Sequence, residues 1–408
     1  MATKIVEHDL SGEPRDLIGL KSYSHVLVLV RWHRRVLGRL LLDIDDGTVS
    51  VSSLRCAAHR KFGGAITSCI VEGLVSGVVP HAGKGTGNPS CSIVVCTRDR
   101  PQDLQRCLAS VCPGAGPNVE VLVVDNAPSD DRTARLSKGF PVRYTLESRR
   151  GLNWARTRGA EEASGEIIVY IDDDAISGGS WLEALLEPFA NPEVGAVTAL
   201  IMPAELENET QEGFERYCTF VRGFRRLEFT AATISPLAAA KVGAGACMAV
   251  RRRLVNDLGL FRAELDCGTA TRSGGDTYAF YRLLSTGYRI VYNPDVVVWH
   301  RHRRTEAELR ETLAGYSIGT YAFLLRALLD HGEIGALHIG FRWFLSHHLL
   351  ELYRGFRGKA DAQPISLTLA EIRGILAAPG SYLRSRKEEV RKTVDRPAAA
   401  AGSRAGPS

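Results

Sequence analysis

Apolar positions along the chain follow three successive patterns, and each predicts a different kind of element. Residues 25–31 (His-Val-Leu-Val-Leu-Val-Arg) and 36–44 (Val-Leu-Gly-Arg-Leu-Leu-Leu-Asp-Ile) are short apolar runs on either side of Trp32-His33-Arg34-Arg35, and Asp46-Gly47 then signals a turn. They predict a β-hairpin followed by a helix, a small α+β module over residues 1–80. His81 to Ser90 has the Gly-, Lys- and Pro-containing composition of a linker. From residue 91 strands and helices alternate. Ser92–Cys96, Val119–Val124, Val142–Leu146, the run ending at Asp172, and Val194–Ile201 read as strands. Leu104, Cys107, Leu108 and Val111 recur at helical spacing behind Pro101, and Gly151–Ser164 and Trp181–Phe189 also read as helices. Near-continuous apolar strands separated by helices predict a parallel, doubly wound sheet.

The third pattern begins at residue 306. Residues 306–380 read as a helical region in which Ile334, Leu337, Phe341, Phe344, Leu345, His348, Leu349 and Leu352 trace one stripe, with Arg342 and Arg354 off it. The stripe is expected to pack on the preceding domain, with a helix lying on a membrane surface as the second reading. Residues 381–408, rich in Arg and Lys and then in Ala, Gly and Pro, are expected to form a disordered basic tail.

Composition narrows the class. With 408 residues, 45% hydrophobic and 24% charged, the chain has the make-up of a globular protein of two or three domains. The net charge of +5 is concentrated at one end: from Arg384 onward seven Lys/Arg face three Asp/Glu, so the rest carries only about +1. A nucleic-acid-binding surface is therefore not expected. The nine cysteines are scattered, without a CxxC pair, which predicts neither a zinc cluster nor a disulfide framework and suits a reducing cytoplasm. The charged start at Met1–Asp9 is unlike a signal peptide, and no uninterrupted apolar run is long enough to predict a membrane span.

Candidate chemistry sits where strands end. A doubly wound sheet binds ligands at the carboxyl ends of its strands. Three strands here end in polar groups: Thr97 with Asp99, Asp125-Asn126, and Asp172-Asp173-Asp174. Three adjacent carboxylates need water or a cation, since one buried unpaired charge already costs several kcal/mol. Neither GxGxxG after the first strand nor GxxxxGK[ST] is present, which disfavours a nicotinamide site and excludes a P-loop.

The ordered set Cys96-Thr-Arg-Asp-Arg-Pro101, Val123-Val-Asp-Asn126, Gly151-Leu-Asn-Trp-Ala-Arg156 and Asp172-Asp-Asp174 resembles the first half of a family 2 glycosyltransferase. Gly243 to Arg252, Gly274-Gly-Asp276 with Gly287-Tyr-Arg-Ile290, and Val297-Val-Trp-His300 are similar to its second half. The resemblance covers about residues 90–305. It implies a GT-A catalytic domain over 91–305, a doubly wound mixed α/β sheet. It also implies a metal-dependent, inverting transfer of one sugar from a nucleotide-diphosphate sugar to an acceptor hydroxyl, on a cell-surface polysaccharide, glycolipid or natural product. The donor could be a UDP-, GDP- or dTDP-sugar. A sugar-1-phosphate nucleotidyltransferase and an inactive carbohydrate- or nucleotide-binding relative are the alternatives.

The resemblance assigns Asp174 as the main ligand of Mn2+ or Mg2+, Asp172 as a direct or water-mediated ligand, and His300 as a later one. Hard oxygens suit both ions, and the imidazole favours Mn2+. A basic surface patch with Arg301, His302, Arg303 and Arg304 is an equal reading for His300 by spacing alone. Asp173 would face the ribose hydroxyls, Asp125 and Thr97 the base, and Arg156 the nucleotide. Asp276 is the candidate catalytic base, removing the acceptor hydroxyl's proton; helix N-capping is its structural alternative. The acidic residue that usually precedes this Asp is replaced by Gly275, and Gly274 and Gly275 are expected to let the backbone approach substrates. Phe214, Tyr217, Phe220, Phe224 and Phe229 are candidates for an acceptor pocket within residues 203–241 or for plain core. The expected location is cytoplasmic, including the inner membrane face.

Overall fold

The computed structural model describes residues 2–76, 89–116, 119–179 and 181–394. Most of the expected linker and residues 395–408 of the tail lie outside that description.

The first strands are β1 (Thr3–Asp9), β2 (His25–Trp32) and β3 (Arg35–Asp43), followed by the helix α1 (Val51–Ser76). β2 and β3 form an antiparallel hairpin, and β1 lies parallel to β2. Alternation along β2 explains its unbroken apolar run. Val26, Val28 and Val30 pack under α1 with Leu54, Ala58 and Phe62. Leu27 and Leu29 point the other way, onto Leu200, Met202, Tyr292 and Val297 of the central sheet. Both faces of this strand are buried, so it cannot show a polar alternation.

The central sheet contains β4 (Cys91–Thr97), β5 (Val119–Asn126), β6 (Arg143–Glu147), β7 (Ile167–Asp172), β8 (Ala175–Ser177), β9 (Val194–Pro203), β10 (Leu227–Phe229), β11 (Cys247–Arg251) and β12 (Arg289–His300). Its order is β10-β12-β9-β11-β7-β4-β5-β6, with β8 paired to β12. β7, β4, β5 and β6 are parallel, whereas β11 runs antiparallel to both neighbours. The sheet is therefore mixed, not all-parallel: a strand buried on both faces has the same apolar pattern in either direction. Val94, Leu122, Ile168 and Tyr170 face one side of the sheet, and Ile93, Val95, Val121, Val123 and Val169 the other.

Helices cover both faces. They are α2 (Pro101–Val111), α3 (Arg132–Ser137), α4 (Leu152–Glu162), α5 (Trp181–Leu186), α6 (Glu209–Tyr217), α7 (Arg252–Asp257) and α8 (Gly275–Ser285). Leu104, Cys107, Leu108 and Val111 are the buried stripe of α2.

Beyond the sheet come α9 (Glu306–His331), α10 (Gly335–Trp343), a π-helical stretch (Phe344–Leu349), α11 (Leu350–Phe356) and α12 (Ile365–Val394). α9 starts at a capping box in which Thr305 and Glu308 satisfy each other's backbone, and stops at left-handed Gly332. Among the described residues it alone is long and apolar enough to cross a membrane, and more than half of that window is buried within the fold.

Two expectations change here. Of the apolar stripe, Ile334, Leu337, Phe341, Leu345 and Leu349 are exposed, and only His348 is fully buried. The helix packs through its small residues Ala336 and Gly340, so the large side chains face outward. The chain also stays helical past Pro379 and Gly380 to Val394, into the segment expected to be a tail. Tyr382 and Ser385 are buried there, and Tyr382 reaches Asp330 on α9, so packing overrides the tail's composition.

Candidate active site

Strand register assembles the site. Cys96 on β4 lies beside Asp172 on β7, and Thr97 beside Asp125 on β5, which brings three strand ends to one edge. β12 pairs with β8 so that His300 lies opposite Ala175, and the Arg301 amide donates to the Asp174 carbonyl. This pairing carries His300, distant in sequence, to the triple aspartate. A ligand atom from each of Asp172, Asp174 and His300 lies within 4.8 Å of the other two. His300 Nε2 is 3.2 Å from Asp174 Oδ1, while its Nδ1 is buried without a hydrogen-bond partner.

These residues line a cleft of about 1040 Å3 together with Thr97, Arg156, Asp173, Gly245 and Asp276. Asp173 accepts from the Thr97 hydroxyl at 2.7 Å and from Arg100 at 3.3 Å. Arg100 also reaches Asp174 at 3.2 Å. Burial pushes the Asp173 carboxyl up to about 7, with neighbouring Asp174 adding to the shift. Burial also raises Asp172, against the pull of Arg156. Asp174 is held below the usual carboxylate range: burial opposes this, but His300 and Arg100 outweigh it. His300 is raised, since Asp174 overcomes the effect of burial.

Arg156 is buried, not solvated. Its Nη2 donates to the Gly245 carbonyl at 3.2 Å and lies 3.7 Å from Asp172. Tyr170 holds its backbone carbonyl at 2.8 Å. Asp276 accepts from the Gly245 amide at 2.9 Å, and the N-cap of α8 is left-handed Gly274, not Asp276. A side chain at Gly245 would collide with Asp276 at 2.9 Å. The roominess of Gly274 and Gly275 serves the protein itself. A Cβ on Gly274 would meet the Gly319 carbonyl of α9, and one on Gly275 the Asn153 amide.

Asp125 is fully buried behind Tyr144, whose hydroxyl donates to Oδ2 at 2.9 Å, while Oδ1 has no partner. Burial raises its carboxyl to about 6, and the Tyr144 hydrogen bond opposes that. Of the five aromatics, Tyr217 and Phe220 line the cleft. Phe214 is buried against His302, and Phe224 and Phe229 pack beside Leu200 and Tyr292.

Sequence reasoning missed Arg100 as a cation on two aspartates, although it stands inside the segment 96–101. It also missed the far wall of the cleft, Tyr316, Thr320 and Trp343. That wall comes from α9 and α10, whose polar positions carry no motif.

Residues 92–259 match the family model described as Glycosyl transferase family 2. The chain is 28% identical over 223 residues to glycosyltransferase AglE of Haloferax volcanii, covering 53% of this chain and 68% of that protein. It is 24% identical over 268 residues to the pre-mycofactocin glycosyltransferase of Mycobacterium tuberculosis, covering 64% of this chain and 53% of that one. Among solved structures it is similar to the mannosyltransferase PcManGT of Pyrobaculum calidifontis in complex with GDP-Man and Mn2+. That match has 20% identity and a TM-score of 0.46, and covers 76% of this chain and 81% of that one. Over residues 92–259 the chain thus carries a match to glycosyl transferase family 2, on a mixed α/β sheet covered by helices on both faces.

Proposed function

We propose that the chain transfers a single sugar from a nucleotide-diphosphate sugar to an acceptor hydroxyl, using a divalent cation and inverting the anomeric carbon. One observation carries the reading: a single cleft holds the Asp172–Asp174–His300 trio and, across Arg156 and Gly245, the oriented carboxylate of Asp276. Two carboxylates and an imidazole with one unpartnered nitrogen suit Mn2+ or Mg2+. When bound, such an ion supplies Lewis-acid stabilisation of the charge left on a departing diphosphate.

The protein's own groups do the rest. Asp172, Asp174 and His300 would hold the ion. Asp125 offers its unpartnered Oδ1 to a base N–H, and Thr97 its backbone. Asp173, fixed by Thr97 and Arg100, accepts from ribose hydroxyls. Arg156 faces the nucleotide while fixing the Gly245 turn against which Asp276 rests. Asp276 takes the acceptor proton as the new C–O bond forms, and a single base with direct displacement inverts the configuration. A product that retained the donor's configuration would overturn that assignment.

The exposed stripe of Leu337, Phe341, Leu345 and Leu349 is bordered by exposed Arg342, Arg357 and Lys359. Apolar side chains ringed by cations suit peripheral contact with an anionic bilayer on the cytoplasmic side. Trp343 on the same helix lines the cleft, which would then open beside the membrane surface.

A donor-hydrolysis screen across UDP-, GDP- and dTDP-sugars, followed by Asp276→Asn, tests the core of the reading. Donor binding is expected to survive while transfer falls by about 10²–10⁴. Unimpaired transfer would remove Asp276 from its role.

A further inference from the structure

A second cluster of metal-ligating side chains lies outside the reaction centre. His347 and His348 sit side by side on the π-helical stretch between α10 and α11, facing Glu371 of α12. A ligand atom from each lies within 4.8 Å of the other two. π-helical turns are rare and appear frequently at functional sites. On an α-helix neighbouring side chains diverge, yet here the two imidazole centroids are only 4.8 Å apart.

His348 is the anomaly. It is fully buried, and both its ring nitrogens lack a hydrogen-bond partner. A buried imidazole normally satisfies at least one of them, because an unmade hydrogen bond costs about 1–3 kcal/mol. Its Nδ1 stands 3.6 Å from Glu371 Oε2, too far for a hydrogen bond. It is the separation expected of two ligands of one ion, since bonds of about 2.0–2.2 Å at tetrahedral angles set ligand atoms roughly 3–4 Å apart. Glu371 is itself oriented by Gln363, whose Nε2 donates to Oε2 at 2.8 Å. That is the outer-shell support that metal-binding carboxylates usually have.

We propose that His347, His348 and Glu371 form a binding site for a first-row transition-metal ion, with Zn2+ the best fit, that pins the π-helical stretch to α12. Two imidazoles and one carboxylate are borderline ligands in a set that Zn2+ commonly uses, with the fourth position left to water. The hard-oxygen cations suited to the reaction centre would not favour it. The site has a mechanical link to the cleft. His347 stacks on Trp343 at 6.0 Å, Trp343 stacks on Tyr321 at 5.8 Å, and Trp343 lines the cleft wall. An ion here holds the base of that wall without touching a substrate. The role is positional, independent of the sugar-transfer reading.

The test uses the full chain carrying Asp174→Ala, which removes the principal ligand of the reaction centre. After stripping with chelator, Co2+ titration followed by visible absorption, and Zn2+ titration by calorimetry, are expected to show one site with nitrogen ligation. Zn2+ is expected to raise the thermal midpoint. Adding His347→Ala, a half-buried position, or Glu371→Gln abolishes the site, while Gln363→Ala weakens it roughly 10–100-fold. Circular dichroism without metal confirms that each variant is folded. Uptake that is absent in the Asp174→Ala chain, or unchanged by both His347→Ala and Glu371→Gln, overturns the proposal. Neither result bears on sugar transfer, which is read separately in the wild-type chain.

Discussion

Glu264 and Asp174 are both carboxylates inside the central domain, and their surroundings differ in one respect. Glu264 is almost wholly buried and meets Arg326 of α9 in a close ion pair, with Arg262 3.6 Å away. Arg326 in turn lies over the Tyr278 ring, and the pair sits away from the cleft. Charge there is matched by the fold itself. Around Asp174, four carboxylates (Asp172, Asp173, Asp174 and Asp276) share the cleft, and the guanidiniums within ion-pair distance of them are Arg100 and Arg156. Burial is the main cause of the raised carboxyls of Asp172 and Asp173, and neighbouring Asp174 adds to both shifts. The two surroundings differ in access: the Glu264 pair is closed inside the fold, whereas the Asp174 group lines an open cleft that a ligand can enter. Functional sites commonly depart from the rules of stability in this way.

Asp174→Ala should produce the largest effect and separate the two sites most sharply. Several kcal/mol of transition-state stabilisation should be lost, which is a fall of about a thousandfold in kcat/KM. Stability should fall by less than activity does, because His300 and Arg100 lose the carboxylate that they hold ionised. Arg326→Leu should do the reverse. Removing one partner of a buried pair costs about 3–5 kcal/mol in denaturant unfolding, with transfer per folded molecule unchanged. Should Arg326→Leu cripple transfer at full stability, the contrast between the sites is broken.

Some of this was legible in the sequence and some was not. The strand ends at Thr97, Asp125 and Asp172 could be read because apolar runs stop abruptly there. His300 could not be separated from the basic run that follows it, since its position depends on the β8–β12 pairing, a contact across more than a hundred residues. β11 could not be seen to run backwards, because burial on both faces erases direction. The outward-facing stripe of α10 was misjudged because amphipathicity shows that a helix has an apolar face without showing whether the large or the small residues do the packing. Arg100 stands inside the segment 96–101, but only the fold shows two aspartates beside it.

A smaller effect sharpens the comparison at Asp125, the proposed contact to the donor's base. Burial holds Asp125 near 6, above the ordinary carboxylate value of about 3.9. The folded chain therefore binds this proton more tightly than the unfolded one. The stabilisation is complete below about pH 4 and is lost as pH rises through about 6. Donor binding runs the other way, since a base N–H needs the ionised acceptor. Affinity should weaken as pH falls through about 6, and Asp125→Asn should flatten both profiles. Tyr144→Phe, which removes the single hydroxyl donated to Asp125, should have the smallest effect. It should move that midpoint upward and weaken donor binding by about 1 kcal/mol, as read by calorimetry across pH.

The central claim is that the triple-aspartate corner completes its charge balance with a divalent cation when a nucleoside diphosphate binds. Calorimetric titration of UDP, GDP and dTDP into the wild-type and Asp174→Ala chains, with Mn2+ and with excess chelator, addresses it directly. The account expects one of these nucleotides to bind the wild-type chain tightly only when Mn2+ is present, and Asp174→Ala to abolish that dependence. Equal affinity in chelator, or an unchanged response to Mn2+ in Asp174→Ala, would contradict it.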